Sequence, residues 1–287
     1  MSESGKKLFP PQHQNHQPGI ESEMNPFPIF KKEERVGCGK LKNKTAIITG
    51  GDSGIGRAVA VAFAQEGADI SIVYLNEHED AKYTKKQVEE NGRKCILISG
   101  DVGNEKFCID AIEKTVKEFS HLDILVNNAG EIHSEKNIEN ITKQQLEKTF
   151  RTNVFSMFYM TKAAIKYLKS GSSIINTASV TAYHSSASLL DYSSSKGAVV
   201  SFTRALSGNL ITKGIRVNGV APGPIWTPFI PSYLPEEEIP YFGSDTPMER
   251  AGQPVEVASC FVFLASDDAS YISGQILHPN GGEIVNG

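Results

Sequence analysis

The stretch that decides the fold spans residues 45–63 and reads TAIITGGDSGIGRAVAVAF. It begins as a short apolar run rich in β-branched residues, which is typical of a buried strand. It ends within an amphipathic helical stretch, residues 55–66, after which Gly67 stops the pattern. The turn between strand and helix carries Gly50, Gly51, Gly54 and Gly56. Because glycine lets a backbone turn tightly and approach a pyrophosphate group at a helix N-terminus, the stretch predicts a phosphate-binding strand, turn and helix.

Segments of strand and helix character alternate along the rest of the chain. Further strands are expected at 68–74, 94–100, 123–130, 172–179, 215–223 and 275–278, and helices at 77–91, 105–119, up to Lys169, 192–212 and 255–264. The strands lack polar alternation, which predicts a parallel sheet covered by helices on both faces. With right-handed crossovers, this pattern gives a doubly wound α/β fold of about seven strands. Proline and glycine concentrate again at 222–254, which predicts a long loop near the ligand-binding edge of the sheet.

Composition excludes several classes of protein. The 287 residues carry a net charge of −4, which gives no general attraction to nucleic acid or to anionic membranes. No apolar run is long enough for a membrane span, and the N-terminus lacks the apolar core of a secretory signal. The four cysteines form no C-x-x-C pair, which favours a reducing compartment. We therefore expect a cytoplasmic protein.

Residues 1–40 differ from the rest and form a proline-rich extension before a catalytic domain at 41–287. One interpretation is a disordered tail. The other is an extended arm that docks on the core or on a neighbouring subunit through Phe9, Phe27, Ile29 and Phe30. His13 and His16 lack acidic or cysteine partners at ligand spacing, so we expect no metal site there.

The residues that would select the cofactor follow the second strand. An acidic residue there binds the ribose hydroxyls of NAD, whereas an arginine accommodates the 2′-phosphate of NADP. This chain has Tyr74, Leu75 and Asn76 instead. A 2′-phosphate would meet nearby negative charge from Asp52, Glu77, Glu79 and Asp80. The pattern favours NAD and leaves NADP as the alternative.

A second motif carries acid–base chemistry. Tyr192 and Lys196 are four residues apart, so they share one face of a helix, and Ser179 ends the fifth strand. Reduction of a carbonyl needs a proton at oxygen while hydride reaches carbon. A lysine ammonium favours the phenolate form of a nearby tyrosine and lowers its pKa. A serine hydroxyl can hold the substrate oxygen in line.

From about residue 41 onward the chain resembles the compact branch of the short-chain dehydrogenase/reductase family, whose fold is of Rossmann type. The matching pieces are TGGDSGIG (49–56), Asp101-Val102, NNAG (127–130), Asn153-Val154, Ser179, YSSSK (192–196), RVNGVAPG (216–223) and SGQ…NGG (273–282). The extension also resembles that of a bacterial general-stress and aldehyde-reductase-like subgroup.

The resemblance implies a function and a set of roles. The protein would transfer hydride between NAD(P)(H) and a small alcohol or carbonyl compound. Tyr192 would be the acid/base, Lys196 would lower its pKa and bind the nicotinamide ribose, Ser179 would orient the substrate oxygen, and Asn153 would hold a water on the proton path. The implied cofactor contacts are Gly50, Asp52, Ser53, Gly54, Ile55, Gly56, Tyr74, Leu75, Asn76, Asp101, Val102, Asn128, Ala129, Gly130, Tyr192, Lys196, Pro222, Gly223, Ile225 and Thr227.

Three stretches are candidates for the substrate pocket: Glu131 with Ile132, residues 183–190, and the loop 226–242. Trp226 either walls the pocket or packs the loop. His184 is either a second acid/base or polar surface. No arginine cluster points to a phosphorylated substrate, so we expect a small, largely neutral aldehyde, ketone or sugar-like alcohol.

Other functions fit the fold. One is a regulatory protein that binds a dinucleotide without turnover, and another is an isomerase or dehydratase that uses bound cofactor internally. The complete set of Ser179, Tyr192 and Lys196 disfavours the first, and the glycine spacing disfavours the second. The resemblance also implies a homotetramer built through helices near 142–169 and 190–212, with the N-terminal arm contributing.

Overall fold

A seven-stranded parallel sheet forms the centre of the protein. The computed structural model describes residues 6–32 and 36–285, and within them the strand order is β3-β2-β1-β4-β5-β6-β7. The strands are β1 (Thr45–Thr49), β2 (Asp69–Tyr74), β3 (Cys95–Ser99), β4 (Ile124–Asn127), β5 (Ser173–Thr177), β6 (Arg216–Val220) and β7 (Ile276–Leu277). Every pairing is parallel, which confirms the doubly wound α/β architecture. Several strands end earlier than expected because the residues that follow them leave the sheet to line a cleft.

Helices cover both faces of the sheet. They are α1 (Gly54–Gln65), α2 (His78–Glu89), α3 (Glu105–Phe119), α4 (Lys143–Phe150), α5 (Ser156–Ala164), α6 (Leu190–Leu210) and α7 (Pro254–Ala265). The long helix expected up to Lys169 is divided, because a π-helical turn at Arg151–Phe155 separates α4 from α5. A π turn holds one more residue per turn than an α-helix and often marks a functional site.

Two apolar layers stabilise the sheet. On one face Ile48 and Ile72 pack in a cluster with residues of α1 and α7. On the other face Ile47 and Leu125 pack in a cluster with residues of α3 and α5. Each fully buried aliphatic side chain contributes roughly 1.5–3 kcal/mol. Strands buried on both sides explain the continuous apolar runs in the sequence.

The strand order reverses between β1 and β4, which lie side by side at the centre of the sheet. Crossovers from these two strands run in opposite directions and leave a crevice at their carboxyl ends. The glycine-rich turn follows β1, and Asn128 follows β4. The topology therefore brings both segments to one site.

The N-terminal segment lies against the core, as the docking alternative predicts for its described residues. Phe9 stacks on Trp226 with ring centroids 3.9 Å apart, and the Trp226 indole N–H donates to Pro26 O at 2.8 Å. Phe30 is buried in the layer beside α1. Trp226 therefore packs the loop 224–242 against the arm and does not wall the cleft. Within the described residues, no helix combines the length and apolarity needed to cross a bilayer.

Candidate functional site

A cleft of about 440 Å³ opens at the carboxyl ends of the strands. It brings together most of the residues expected from the sequence: Gly50, Asp52, Ser53, Gly54, Ile55, Tyr74, Leu75, Asp101, Val102, Asn128, Ala129, Gly130, Ser179, Tyr192, Lys196, Pro222, Gly223, Ile225 and Thr227. Gly56, Asn76 and Asn153 are not among the lining residues. Each of these three has another place in the structure.

The glycine-rich turn has a shape that only glycine permits. Gly50 and Gly54 have φ angles of 62° and 52°, in the left-handed region that side chains disfavour. A Cβ on Gly56 would lie 1.8 Å from Gly50 O, so Gly56 lets α1 approach the turn and is not itself exposed to the cleft. The first N–H groups of α1 point out of the helix without intrahelical acceptors. The turn therefore fits the pyrophosphate of a dinucleotide.

Asn128 ties this turn to the strands beside it. Its backbone N–H donates to Thr49 Oγ1 at 2.9 Å. Its side-chain amide donates to the carbonyls of Thr49 and Gly50 at 3.2 and 3.1 Å. Thr177 Oγ1 donates to Asn128 Oδ1 at 3.2 Å. Asn128 thus joins β1, β4 and β5 at the crevice.

Three polar side chains converge at the other end of the cleft. Ser179 lies two residues past β5 and begins a short 3-10 turn, while Tyr192 and Lys196 lie one turn apart on α6. All three are buried. Lys196 Nζ donates to Thr177 O at 2.8 Å and lies 5.6 Å from the centre of the Tyr192 ring. This group confirms the convergence expected from their places in the sequence.

Burial dominates the protonation of this group. It raises the pKa of Tyr192 to about 12, with a smaller opposing effect from its hydrogen bond with Ser179. Burial also lowers the pKa of Lys196 to about 8. The sequence predicts that Lys196 lowers the pKa of Tyr192, whereas in this structure burial is the largest influence and raises it. The phenol is therefore protonated at neutral pH and can donate a proton.

Asn153 lies behind the cleft, at the centre of the π turn. Its side-chain amide donates to Glu131 O at 2.9 Å and to Ser195 Oγ at 3.0 Å, and its Oδ1 accepts from Glu131 N at 2.8 Å. A Cβ on Gly130 would lie 3.6 Å from Asn153 Oδ1 and 3.8 Å from Lys196 Nζ. Glycine at 130 therefore keeps the space between Asn153 and Lys196 open.

The adenosine end of the cleft has acidic surroundings. Tyr74, Leu75 and Glu77 line it. Asn76 is exposed and its amide faces the Glu77 carboxylate, outside the cleft. Burial raises the pKa of Asp52 to about 6.

Arg57 is the arginine closest in sequence to this end, but it is withdrawn from the cleft. It is fully buried between α1 and α2, where it bonds Asp52 O at 2.9 Å and Asp80 Oδ1 at 3.0 Å. It also pairs with Glu21 of the N-terminal arm, at 3.1 Å. The basic residues that do line the cleft are Lys148, Arg151 and Lys196, and none belongs to the glycine-rich turn or to the end of β2.

The substrate end combines an apolar wall with one carboxylate. Ile132, Leu189, Tyr192, Phe229 and Tyr233 form a cluster there. The Glu131 carboxylate accepts from His133 at 2.5 Å and pairs with Lys148 at 3.1 Å. Burial raises the pKa of Glu131, but these two partners outweigh it and leave that pKa below its ordinary value.

His184 is exposed and does not line the cleft, so the structure favours polar surface for this residue. Sequence reasoning missed Gln17, Pro18 and Gly19 of the arm, which line the cleft. Glu21, a few residues later, was also missed. The pattern of apolar residues pointed to a docked arm, but no motif marks these positions.

Residues 50–283 match the family described as Enoyl-(Acyl carrier protein) reductase. General stress protein 39 of Bacillus subtilis is 61% identical over 97% of this chain and 98% of its own length. Glucose and ribitol dehydrogenase of Daucus carota is 50% identical, again over 97% of this chain and 98% of its own. A short chain dehydrogenase from Burkholderia cenocepacia, solved with NADP, superposes with a TM-score of 0.80 at 30% identity, covering 85% of this chain and 98% of that one.

Proposed function

Because the chain belongs to the short-chain dehydrogenase/reductase family, we propose that Ser179, Tyr192 and Lys196 perform the proton transfer of its reaction. The protein is an NAD(P)-dependent oxidoreductase that moves hydride between the nicotinamide and a small alcohol or carbonyl compound. One observation carries the assignment of roles: the three side chains converge, buried, at the substrate end of the cleft.

In reduction, Tyr192 donates its phenolic proton to the substrate oxygen while Ser179 holds that oxygen by a hydrogen bond. The bound nicotinamide supplies the hydride in reduction and accepts it in oxidation. Lys196, fixed by Thr177 O, then returns a proton toward Tyr192. The space beside Gly130 supports a water between Lys196 and Asn153, through which the proton path reaches solvent.

The dinucleotide would lie along the whole cleft. The N–H groups that follow Gly54 at the start of α1 would hold its pyrophosphate, Asp101 and Val102 would flank the adenine, and Lys196 would hold the nicotinamide ribose. The absence of a basic residue near Ser53 and Leu75 among the lining residues supports a preference for NAD over NADP.

The preference has a direct test. Leu75→Arg places a guanidinium beside the ribose, which favours a 2′-phosphate. The dissociation constants of NAD and NADP should shift relative to each other by about tenfold in favour of NADP. A wild-type protein that already binds NADP more tightly would contradict the proposed preference.

The proposed substrate is a small, largely neutral aldehyde, ketone or sugar-like alcohol. The apolar wall suits a carbon skeleton, and Glu131 offers a hydrogen-bond acceptor for a hydroxyl group. The name of the carrot relative, glucose and ribitol dehydrogenase, supports a polyhydroxylated compound.

The test follows nicotinamide absorbance with a panel of aldehydes, ketones and polyols, using both cofactors. Tyr192→Phe removes only the hydroxyl, and Tyr271→Phe is the matched control because Tyr271 is fully exposed. We expect a loss of roughly 10²–10⁴ in kcat for the first variant and no change for the second. Turnover that survives in Tyr192→Phe would contradict the assignment.

The proposed assembly is a homotetramer built through α4–α6, with the arm contributing. Phe155 and Phe158 are 42% and 52% exposed, and the Phe158 ring contacts Phe202 of α6 at 4.3 Å. Exposed aromatic side chains of this kind are typical of interfaces. Light scattering should give four times the mass of one chain, and a monomer would contradict the proposal.

A further inference from the structure

The N-terminal arm crosses the cleft from its substrate end to its cofactor end. The Gln17 side chain pairs with the backbone of Ile132, donating to its carbonyl at 2.6 Å and accepting from its N–H at 3.3 Å. Gly19 packs against Pro228, where a Cβ would lie 2.2 Å from the carbonyl oxygen. Glu21 then reaches the start of α1. This crossing, residues 17–21, is hereafter the strap.

At the cofactor end, Glu21 acts as a cap for α1 from a distant part of the chain. Its Oε2 accepts from Gly54 N at 2.5 Å, whereas the N-cap residue Ser53 makes no side-chain cap hydrogen bond. Capping normally comes from the residue that begins the helix. Because Glu21 takes the N–H of Gly54, it fixes the turn in which Gly54 has its left-handed conformation.

A buried charge cluster fastens the strap at this point. The Glu21 carboxylate pairs with the fully buried Arg57, and the Glu21 N–H donates to Asp80 Oδ2 at 2.8 Å. A buried charge without a partner is costly, so the Arg57 guanidinium depends on Glu21 and Asp80. Displacing the strap would leave Arg57 with one acidic partner, Asp80, among the described contacts.

At the substrate end, Gln17 holds the segment that positions Asn153. Ile132, which pairs with Gln17, follows Glu131 directly, and both backbone groups of Glu131 bond the Asn153 amide. The contacts of Gln17 with Ile132 and of Asn153 with Glu131 are all hydrogen bonds between a side-chain amide and backbone groups. A shift of the 131–132 segment would therefore move Asn153 as well as the Ile132 wall of the cleft.

We propose that the strap is a positioning element of the active site, in which Glu21 sets the glycine-rich turn for the dinucleotide and Gln17 sets the 131–132 segment for turnover. The part that concerns Gln17 rests on the proposed function. The part that concerns Glu21 rests on cofactor binding alone. Glu21 bonds the start of α1 whereas Gln17 bonds Ile132, so their effects separate.

The first experiment measures the dissociation constant of NADH by calorimetry. Glu21→Ala removes the cap and the partner of Arg57, and we expect NADH to bind about tenfold more weakly, which corresponds to 1.4 kcal/mol. Glu21→Gln keeps an acceptor for Gly54 N, so it should lose less NADH affinity than Glu21→Ala. Glu23→Ala is the matched control, because Glu23 is an exposed glutamate of the same short turn. Unchanged or tighter binding by Glu21→Ala would overturn this part.

The second experiment compares Gln17→Ala with Gln12→Ala. The hydrogen bonds that the structure gives Gln12 go to Pro10 and Asn25, within the arm. For Gln17→Ala we expect kcat/KM for the carbonyl substrate to fall about tenfold while the NADH dissociation constant stays within twofold. An equal loss in both variants, or a loss confined to NADH binding, would overturn this part.

Melting temperatures of all five variants show whether each remains folded, and NADH binding is read only from folded protein. Failure of the inference and failure of the proposed function give different results. If Tyr192→Phe abolishes turnover but Glu21→Ala binds NADH normally, only the strap is wrong. If Glu21→Ala weakens binding but Tyr192→Phe remains active, only the catalytic assignment is wrong.

Discussion

The two sides of the cleft are built in different ways. One side consists of strand ends and α6, where Tyr192 and Lys196 are neighbours in sequence and on one helix face. The other side consists of the N-terminal arm and the loop 224–242, which are joined by contacts such as Phe9 on Trp226. The first side depends on local spacing, and the second depends on residues that are distant in sequence. The proposed proton-transfer residues therefore lie on rigid elements, and packing between distant parts of the sequence encloses the cleft around them.

The largest effect on the first side should come from Lys196. Lys196→Met keeps the length of the side chain but removes the ammonium that bonds Thr177 O. We expect kcat to fall by roughly 10²–10⁴ because proton return to Tyr192 is lost. Steady-state kinetics check this. Lys162→Met is the control, since Lys162 is an exposed lysine on α5, and an equal loss there would show that the effect is not specific to the cleft.

A smaller effect is expected from the turn. Gly56→Ala forces a Cβ to within 1.8 Å of Gly50 O, so the turn must shift. An overpacked contact costs about 1–3 kcal/mol, and we expect cofactor to bind roughly 10- to 100-fold more weakly. Gly208→Ala is the matched control, because a Cβ at this position of α6 meets no atom within 4 Å. Calorimetry with NADH distinguishes them, and normal binding by Gly56→Ala would contradict the turn's role.

The pH dependence follows from the protonation of the first side. The pKa of Tyr192 is raised to about 12, so its phenol carries the proton needed for reduction throughout the neutral range. Oxidation needs the phenolate. At pH values below that pKa, the phenolate fraction rises tenfold for each unit by which the pH increases. We expect kcat/KM for alcohol oxidation to rise between pH 6 and pH 9. The increase should be at most about tenfold for each pH unit.

Reduction should behave differently over the same range. Lys196 has a pKa lowered to about 8, so it loses its proton above that pH and the reductive rate should then decline. Oxidation that is flat from pH 6 to pH 9, or that falls, would show that Tyr192 does not act as the base.

The smallest effect is expected on the second side, in stability. Phe9→Ala removes one ring of the stacked pair with Trp226. Such a pair is worth about 0.5–1.5 kcal/mol beyond the area it buries, which lowers Tm by roughly 2–4 °C per kcal/mol. Because Trp226 is the only tryptophan, its fluorescence reports the change directly. Ile29→Ala, at a half-exposed site of the arm, should leave the fluorescence unchanged, and an unaltered signal in Phe9→Ala would mean that the arm does not depend on this contact.

The contrast between the sides also explains what the sequence reveals. The strands, the glycine-rich turn and the pair Tyr192 and Lys196 follow from periodicity and spacing, and the structure brings them together as expected. The π turn around Asn153 was not foreseen, because the pairing of that amide with Glu131 joins residues 22 apart and no local pattern encodes it.

The polar contacts of the arm were not foreseen for a similar reason. Glu21 is buried beside Arg57, on α1, which supplies the opposite charge. In the sequence both residues look like ordinary surface charges. The burial that raises the pKa of Tyr192 likewise depends on the surrounding fold, which the motif alone does not encode.

The most direct test of the central claim is a single-turnover measurement of hydride transfer in Tyr192→Phe, started from protein with NADH already bound. Calorimetry on the same protein gives the NADH dissociation constant. If Tyr192 acts as the acid, binding stays within twofold and the transfer rate falls by roughly 10²–10⁴. A transfer rate equal to that of Tyr271→Phe would contradict the claim and require another proton donor in the cleft.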